Sequence, residues 1–154
     1  MFLILDEWVV HDLQNDNGKD RQIETVQFLE KVGRKYDKLV VVRDSKFLKK
    51  IWNFFSSISG SNVEFRGKVR LVKSLIQDTE KTEFIESKIL KNGNQINNRF
   101  LSQVNEDDHY LALAYFHFKN IEETIIITTD KKLKETLEQN GVSIRFRDEF
   151  LINY

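Results

Sequence analysis

The chain has 154 residues, 40% of them apolar, which is enough for one domain with a real core and too many for a disordered chain. Lysine plus arginine and aspartate plus glutamate each total 24, so no net charge advertises a nucleic acid or a membrane surface as partner. There is no cysteine for disulfides or thiol chemistry, no apolar run long enough to span a membrane, and Asp6 and Glu7 come too early for a signal peptide, so a soluble cytoplasmic protein is expected.

Residues Met1 to Leu5 read as a short buried strand, closed at once by the carboxylate of Asp6. The polar turn QNDNGKDRQ leads to a helix from about Ile23 to Tyr36, in which Ile23, Val26, Phe28 or Leu29, and Val32 or Gly33 recur at helical spacing. LVVVRD repeats the pattern of a strand followed by an acid, here Asp44. Ser45 suits the N-cap of a second helix that carries Phe47, Leu48, Ile51, Trp52 and Phe55. After SSISGSN, a predicted loop, VEFRGKVRLVKSLIQ fits either an alternating hairpin or a basic helix.

A helix is predicted from Thr79 to Leu90, with Phe84, Ile85 and Ile89 as its apolar side, and KNGNQINNRF follows as an Asn-rich loop. In NEDDHYLALAYFHF, helical spacing sets Asp107, Tyr110, Leu111, Ala114 and Phe118 on one face, which turns Asp107 inward at the first turn. TIIITTD is the clearest buried strand, β-branched and without polar alternation as a central parallel strand requires, and it ends on Asp130. KKLKETLEQNG is then a helix with Leu133 and Leu137 apolar and Gly141 at its left-handed end. VSIRF is a last strand, with Val142, Ile144 and Phe146 on one face and Ser143, Arg145 and Arg147 on the other. Alternating strands and helices without proline indicate a single three-layer α/β/α domain over residues 1–154, around a mainly parallel sheet.

Asp6, Asp107 and Asp130 stand out because two end strands and the third opens the helix that feeds the central strand. Chemistry in open α/β sheets collects at the carboxyl ends of strands, and converging carboxylates without cysteine suit hard, oxygen-ligated Mg²⁺ or Mn²⁺. Aspartate is also a favoured N-cap, so Asp107 and Asp130 serve equally as plain helix starts, whereas Asp6 has few structural duties beyond a turn hydrogen bond. Lys46, Lys49, Lys50, Arg66, Lys68, Arg70 and Lys73 form a basic stretch interrupted by one acid, Glu64. Such a stretch binds phosphates by counterion release, or is simply a solvated face, and Arg145 and Arg147 carry the same ambiguity. His109 and His117 have no zinc spacing, and Trp8 and Trp52 read as core or interface.

Three stretches together, FLILD, DDHYLALA and IIITTD, resemble the PIN domains, a family of metal-dependent nucleases. The family helix pattern has Asp with alanine seven residues on, and Asp107 with Ala114 keeps that spacing. The resemblance implies Mg²⁺ or Mn²⁺ held by Asp6, Asp107 and Asp130, with Thr128 orienting Asp130 or a water, and RNA as substrate; Asp108 adds negative potential or holds metal-bound water, or with Glu106 is first-turn charge complementing the helix dipole. The family's helix glutamate is missing, because Lys49 or Lys50 stands near its position; Asp44 is the nearest replacement, with Glu83 or Glu86 as others. Without such a replacement the alternative is a non-catalytic PIN-like module that binds RNA or protein. The middle region, about residues 56–104, is enlarged relative to the smallest members. An antitoxin or another protein, or a second copy meeting through Trp52, Phe54 and Phe55, is a further partner that the resemblance implies. A phosphate-handling α/β domain of another family is a third reading, one with no role for Asp107.

Overall fold

The computed structural model describes residues 1–58, 63–93 and 98–154. Five strands, β1 (Phe2–Leu5), β2 (Lys38–Val42), β3 (Thr82–Ile85), β4 (Thr124–Thr128) and β5 (Ile144–Phe146), form one sheet in the order β3-β2-β1-β4-β5. Every neighbouring pair is parallel. The helices are α1 (Trp8–Leu13), α2 (Lys19–Arg34), α3 (Lys46–Ser57), α4 (Val63–Gln77), α5 (Ser87–Gly93), α6 (Asn98–Leu101), α7 (His109–Phe118), α8 (Lys131–Gln139) and α9 (Arg147–Asn153).

Strand alternation divides the core in two. Leu3, Leu5, Leu39, Val41, Ile125 and Ile127 face a cluster completed by α1 to α4, while Phe2, Ile4, Val40, Val42 and Ile126 face one completed by α5 to α8. Both faces are therefore covered, and the fold is the expected three-layer α/β/α sandwich. Fully burying each such Leu, Ile or Val contributes about 1.5–3 kcal/mol, so the central strands need no polar alternation.

Several predicted elements stand as read. Ser45 caps α3 by accepting from the Leu48 N–H at 3.2 Å. Gly141 has φ +75° and closes α8, with its N–H on the Glu138 carbonyl at 3.0 Å and the Val142 N–H on the Leu137 carbonyl at 3.1 Å. VEFRGKVRLVKSLIQ is the basic helix, α4, whose buried residues Val69, Val72, Leu75 and Ile76 keep helical spacing.

The stretch from Thr79 to Leu90 differs from its prediction. It holds strand β3 and the start of α5 rather than one helix, because pairing with β2 decides the state of a run too short to show a period. The middle region is thus part of the domain frame and supplies an edge strand. Residues 59–62 and 94–97, within the predicted loops, lie outside the described residues. Arg147 is not on a strand face either: it opens α9 and is 2% exposed. No helix among the described residues is long and apolar enough to cross a membrane.

Arg147 explains how α9 and α1 are held. Its Nε donates to the fully buried Asp12 at 3.0 Å, and Asp12 also accepts from the Thr25 hydroxyl at 2.7 Å and the Asn17 amide at 2.8 Å. The remaining guanidinium donors reach Glu24, Asp148, the Arg21 carbonyl and Thr25. Removing one partner of such a pair strands a buried charge, at a cost of about 3–5 kcal/mol. Asp12→Ala should therefore lower the unfolding free energy measured by urea titration by an amount of that order; a loss below about 1 kcal/mol would show the network to be dispensable.

Candidate functional site

The strand order reverses between β1 and β4, since β1 leads outward to β2 and β3 and the chain then returns to add β4 and β5 on the other side. That reversal opens a crevice beyond the carboxyl ends of the two strands. Asp6 follows β1 and is 9% exposed there. One of its oxygens accepts from the Thr128 hydroxyl at 2.7 Å and the other from the Glu7 N–H at 2.6 Å. Thr128 in turn accepts from the Asp130 N–H at 3.0 Å, and Asp130 caps α8 by accepting from the Leu133 N–H at 2.9 Å. A single buried hydroxyl thus links the two acids. Burial pushes the Asp6 carboxyl up, its two hydrogen bonds oppose this, and the charges of Glu7 and Asp130 add to the rise.

The third acid is Asp108 rather than Asp107. Asp108 is half-buried and shares a cavity of about 20 Å³, one water in size, with Asp130, Asn105 and Leu133. Burial first, then the charges of Asp6 and Asp130, push its carboxyl up to about 6, against a hydrogen bond from Asn105. Asp107 points the other way. Its side chain is 67% exposed and bonded to the Lys46 ammonium at 2.6 Å, which holds its carboxyl below the usual range. The inward placement read from helical spacing fails because Glu106–Asp108 is a 3₁₀ turn and the α-helix begins only at His109. A 3₁₀ residue turns about 120° instead of 100°, so a period counted backwards from Tyr110 selects the wrong aspartate.

Asp107 lines a larger groove of about 580 Å³, with Lys46, Lys49, Ser45 and Asp44 on one wall and Tyr110 and Leu113 on the other. Lys50 pairs with Glu7 beside Asp6. Lys46 and Lys49 of α3 thus line the groove and Lys50 meets Glu7, while Arg66, Lys68, Arg70 and Lys73 belong to α4 and line neither the groove nor the acid cavity. Lys68 pairs with Glu64 on its own helix, and Lys73 lies 6.0 Å over the Trp52 ring. The single basic stretch of the sequence is split in space.

The replacements considered for the missing glutamate are engaged elsewhere. Asp44 accepts from the N–H and hydroxyl of Ser87, Glu83 pairs with Lys38 at 2.9 Å, and Glu86 pairs with Arg43 at 3.3 Å. The fourth acid beside the site is Glu7, whose charge acts on Asp6, Asp108 and Tyr110. Its signal was in plain view as the residue after the strand-end aspartate. Arg147 is buried in its network and Phe54 in the core, so neither offers a binding surface, and Trp52 and Phe55 are half-buried against the same core. Arg145 is exposed. His109 bonds the Val104 carbonyl at 2.9 Å, and the His117 ring lies 4.8 Å from that of Phe118.

Among the described residues no three acids or histidines stand close enough to enclose an ion as they are placed. The donor chemistry nevertheless fits a hard cation: Asp6, Asp108 and Asp130 offer only oxygens, and the charge of Asp130 raises the carboxyls of the other two. No family model matches the chain, and no curated protein matches it.

Asp108 yields a pH test. A carboxyl pushed up to about 6 binds its proton more tightly folded than unfolded, so its contribution is favourable at low pH and lost as pH rises from about 4 through 6. Asp108→Asn should therefore be more stable than wild type at pH 7.5 in EDTA, by about 1 kcal/mol after discounting for partial exposure. The gap should close by pH 4 in paired denaturant titrations; a gap that does not change with pH would place Asp108 away from the other acids.

Proposed function

We propose that the protein is a metal-dependent endoribonuclease of the PIN type, with Asp6, Asp108 and Asp130 as the acids that hold Mg²⁺ or Mn²⁺. The observation that carries this reading is the crowding of these three carboxylates at the β1–β4 reversal, where burial first, and then the charges of their neighbours, raise the Asp6 and Asp108 carboxyls. A protein gains no stability from acids crowded at a strand reversal, and perturbed carboxyls in a crevice mark a candidate functional site. A bound divalent cation would supply an activated water and would neutralise charge on a scissile phosphate. Thr128 sets the orientation of Asp6 and fixes the backbone of Asp130, so the acids come from different elements in one arrangement.

The RNA would approach through the groove beside α3, where Lys46, Lys49 and Lys50 supply positive charge next to the acids. Lys46 and Lys50 already bind carboxylates there, so each has the reach to exchange an acid for a phosphate. In this reading Asp107 does not hold the cation; it keeps Lys46 in place until substrate arrives. The non-catalytic alternative rests on one observation, that the acids as placed do not close around an ion among the described residues.

Calorimetric titration with Mn²⁺ separates the two. Wild type and Asp107→Asn should bind alike, whereas Asp6→Asn and Asp108→Asn should lose binding and Mn²⁺-dependent cleavage of single-stranded RNA. Asp6→Asn should melt near the parent. Absence of Mn²⁺ binding by the wild type at millimolar metal would sink the nuclease reading, and loss in Asp107→Asn alone would restore Asp107 as the ligand. Replacing Lys46, Lys49 and Lys50 by alanine should weaken RNA binding and flatten its salt dependence more than the same change at Arg66, Lys68 and Arg70.

A further inference from the structure

The Tyr110 hydroxyl is buried and has no hydrogen-bond partner, alone in this among the buried side-chain polar atoms of the described residues. Tyr110 follows Asp108 by two residues, and its ring packs against both apolar clusters, at the seam of the sandwich beside the acid crevice. A buried donor left unmade costs stability, and phenylalanine would fill the same space without that cost. The charges of Asp6, Glu7 and Asp108 act on the hydroxyl, that of Asp6 most strongly of the three. Lys46 and Lys50, cations on that side, are paired with Asp107 and Glu7. A phenol is a neutral donor at neutral pH.

Asp6 has room for that donor. Each of its oxygens accepts one hydrogen bond, from Thr128 on β4 and from the Glu7 backbone, and each can accept another. We infer that Tyr110 is a positioning residue for the acid site, whose hydroxyl donates to the Asp6 carboxylate when a divalent cation draws Asp6, Asp108 and Asp130 together. The inference rests on the cation-binding reading above. Donors to a ligating carboxylate fix its orientation and strengthen its hold on the ion, and here they would come from β4, from the turn into α1 and from α7. Such a bond, made only in the loaded state, accounts for a hydroxyl that is buried and idle without the ion.

The test is Tyr110→Phe, followed by thermal melting in EDTA and by Mn²⁺ calorimetry. The variant should melt at or above the wild-type temperature in EDTA and bind Mn²⁺ about 10–100-fold more weakly. Tyr115→Phe, at a buried tyrosine of the same helix, should leave Mn²⁺ affinity unchanged. Unaltered Mn²⁺ affinity in Tyr110→Phe would overturn the assignment while leaving the cation reading intact. A melting point several degrees lower in EDTA would also overturn it, because the hydroxyl would then have a partner without the ion. Equal losses in the two tyrosine variants would reduce the effect to helix packing. No Mn²⁺ binding in any of the proteins, wild type included, would remove the cation reading and this inference together.

Discussion

The parallel pairing of β1 with β4 is the constraint on which the rest depends. Its register runs from Phe2 opposite Thr124 to Leu5 opposite Ile127, and the Asp6 N–H extends it to the Ile127 carbonyl at 3.3 Å. The Trp8 indole donates to that same carbonyl at 2.8 Å, which fixes the start of α1 to the end of β4. The Thr128 hydroxyl then meets Asp6 as a direct result of the register. A slip of one residue would exchange the faces of the strand, turn Thr128 away and put Ile127 in its place. Two strands 122 positions apart in sequence therefore determine the site, and neither carries it alone.

This separation explains how far the sequence could be read. The buried strands were legible because β-branched runs such as IIIT leave little choice, and the caps at Ser45 and Asp130 because their hydrogen bonds are local. Asp6 and Asp130 were legible for the same reason, as acids that end strong strands. Asp108 was legible only as an accessory to Asp107, since choosing between adjacent aspartates requires the phase of the backbone, and a 3₁₀ turn of three residues leaves no periodic trace. Strand β3 was hidden in a run whose apolar residues also fit a helix, and only its partner β2 decides the matter. The Asp12–Arg147 pair was hidden most completely, because it joins α1 to α9 across nearly the whole chain and each residue looks like a surface charge by itself.

Electrostatics at the crevice follow from which helix faces which strand end. Helix α3 begins just after β2 and projects Lys46 and Lys50 towards acids that belong to other elements, Asp107 and Glu7. These pairs are partly exposed, and ion pairs in contact with water stabilise little, because solvent screens them and side-chain entropy is lost. These pairs thus add little to the stability of the fold and can be exchanged at small cost. The α4 cations lack that relation, since their helix packs on α2 and lines neither cavity.

The two ends of the sheet differ in a way that packing does not require. At the amino end the charges are answered: the Met1 ammonium pairs with Asp37 at 3.0 Å and Glu122 at 2.7 Å, the Tyr154 hydroxyl donates to Asp37 at 2.7 Å, and Lys38 meets Glu83. The Asp37 carboxyl lies below its ordinary range despite its burial, because these donors outweigh desolvation. At the carboxyl end the carboxyls of Asp6 and Asp108 are raised, and the Tyr110 hydroxyl goes unmet. One sequence has satisfied its polar groups at one edge and left them in conflict at the other. Local conflict that persists in an otherwise consistent fold is the expected signature of a site kept for binding or chemistry. The crowded groups at this end are carboxylates, whose repulsion a small cation of high charge would relieve and an anion would make worse.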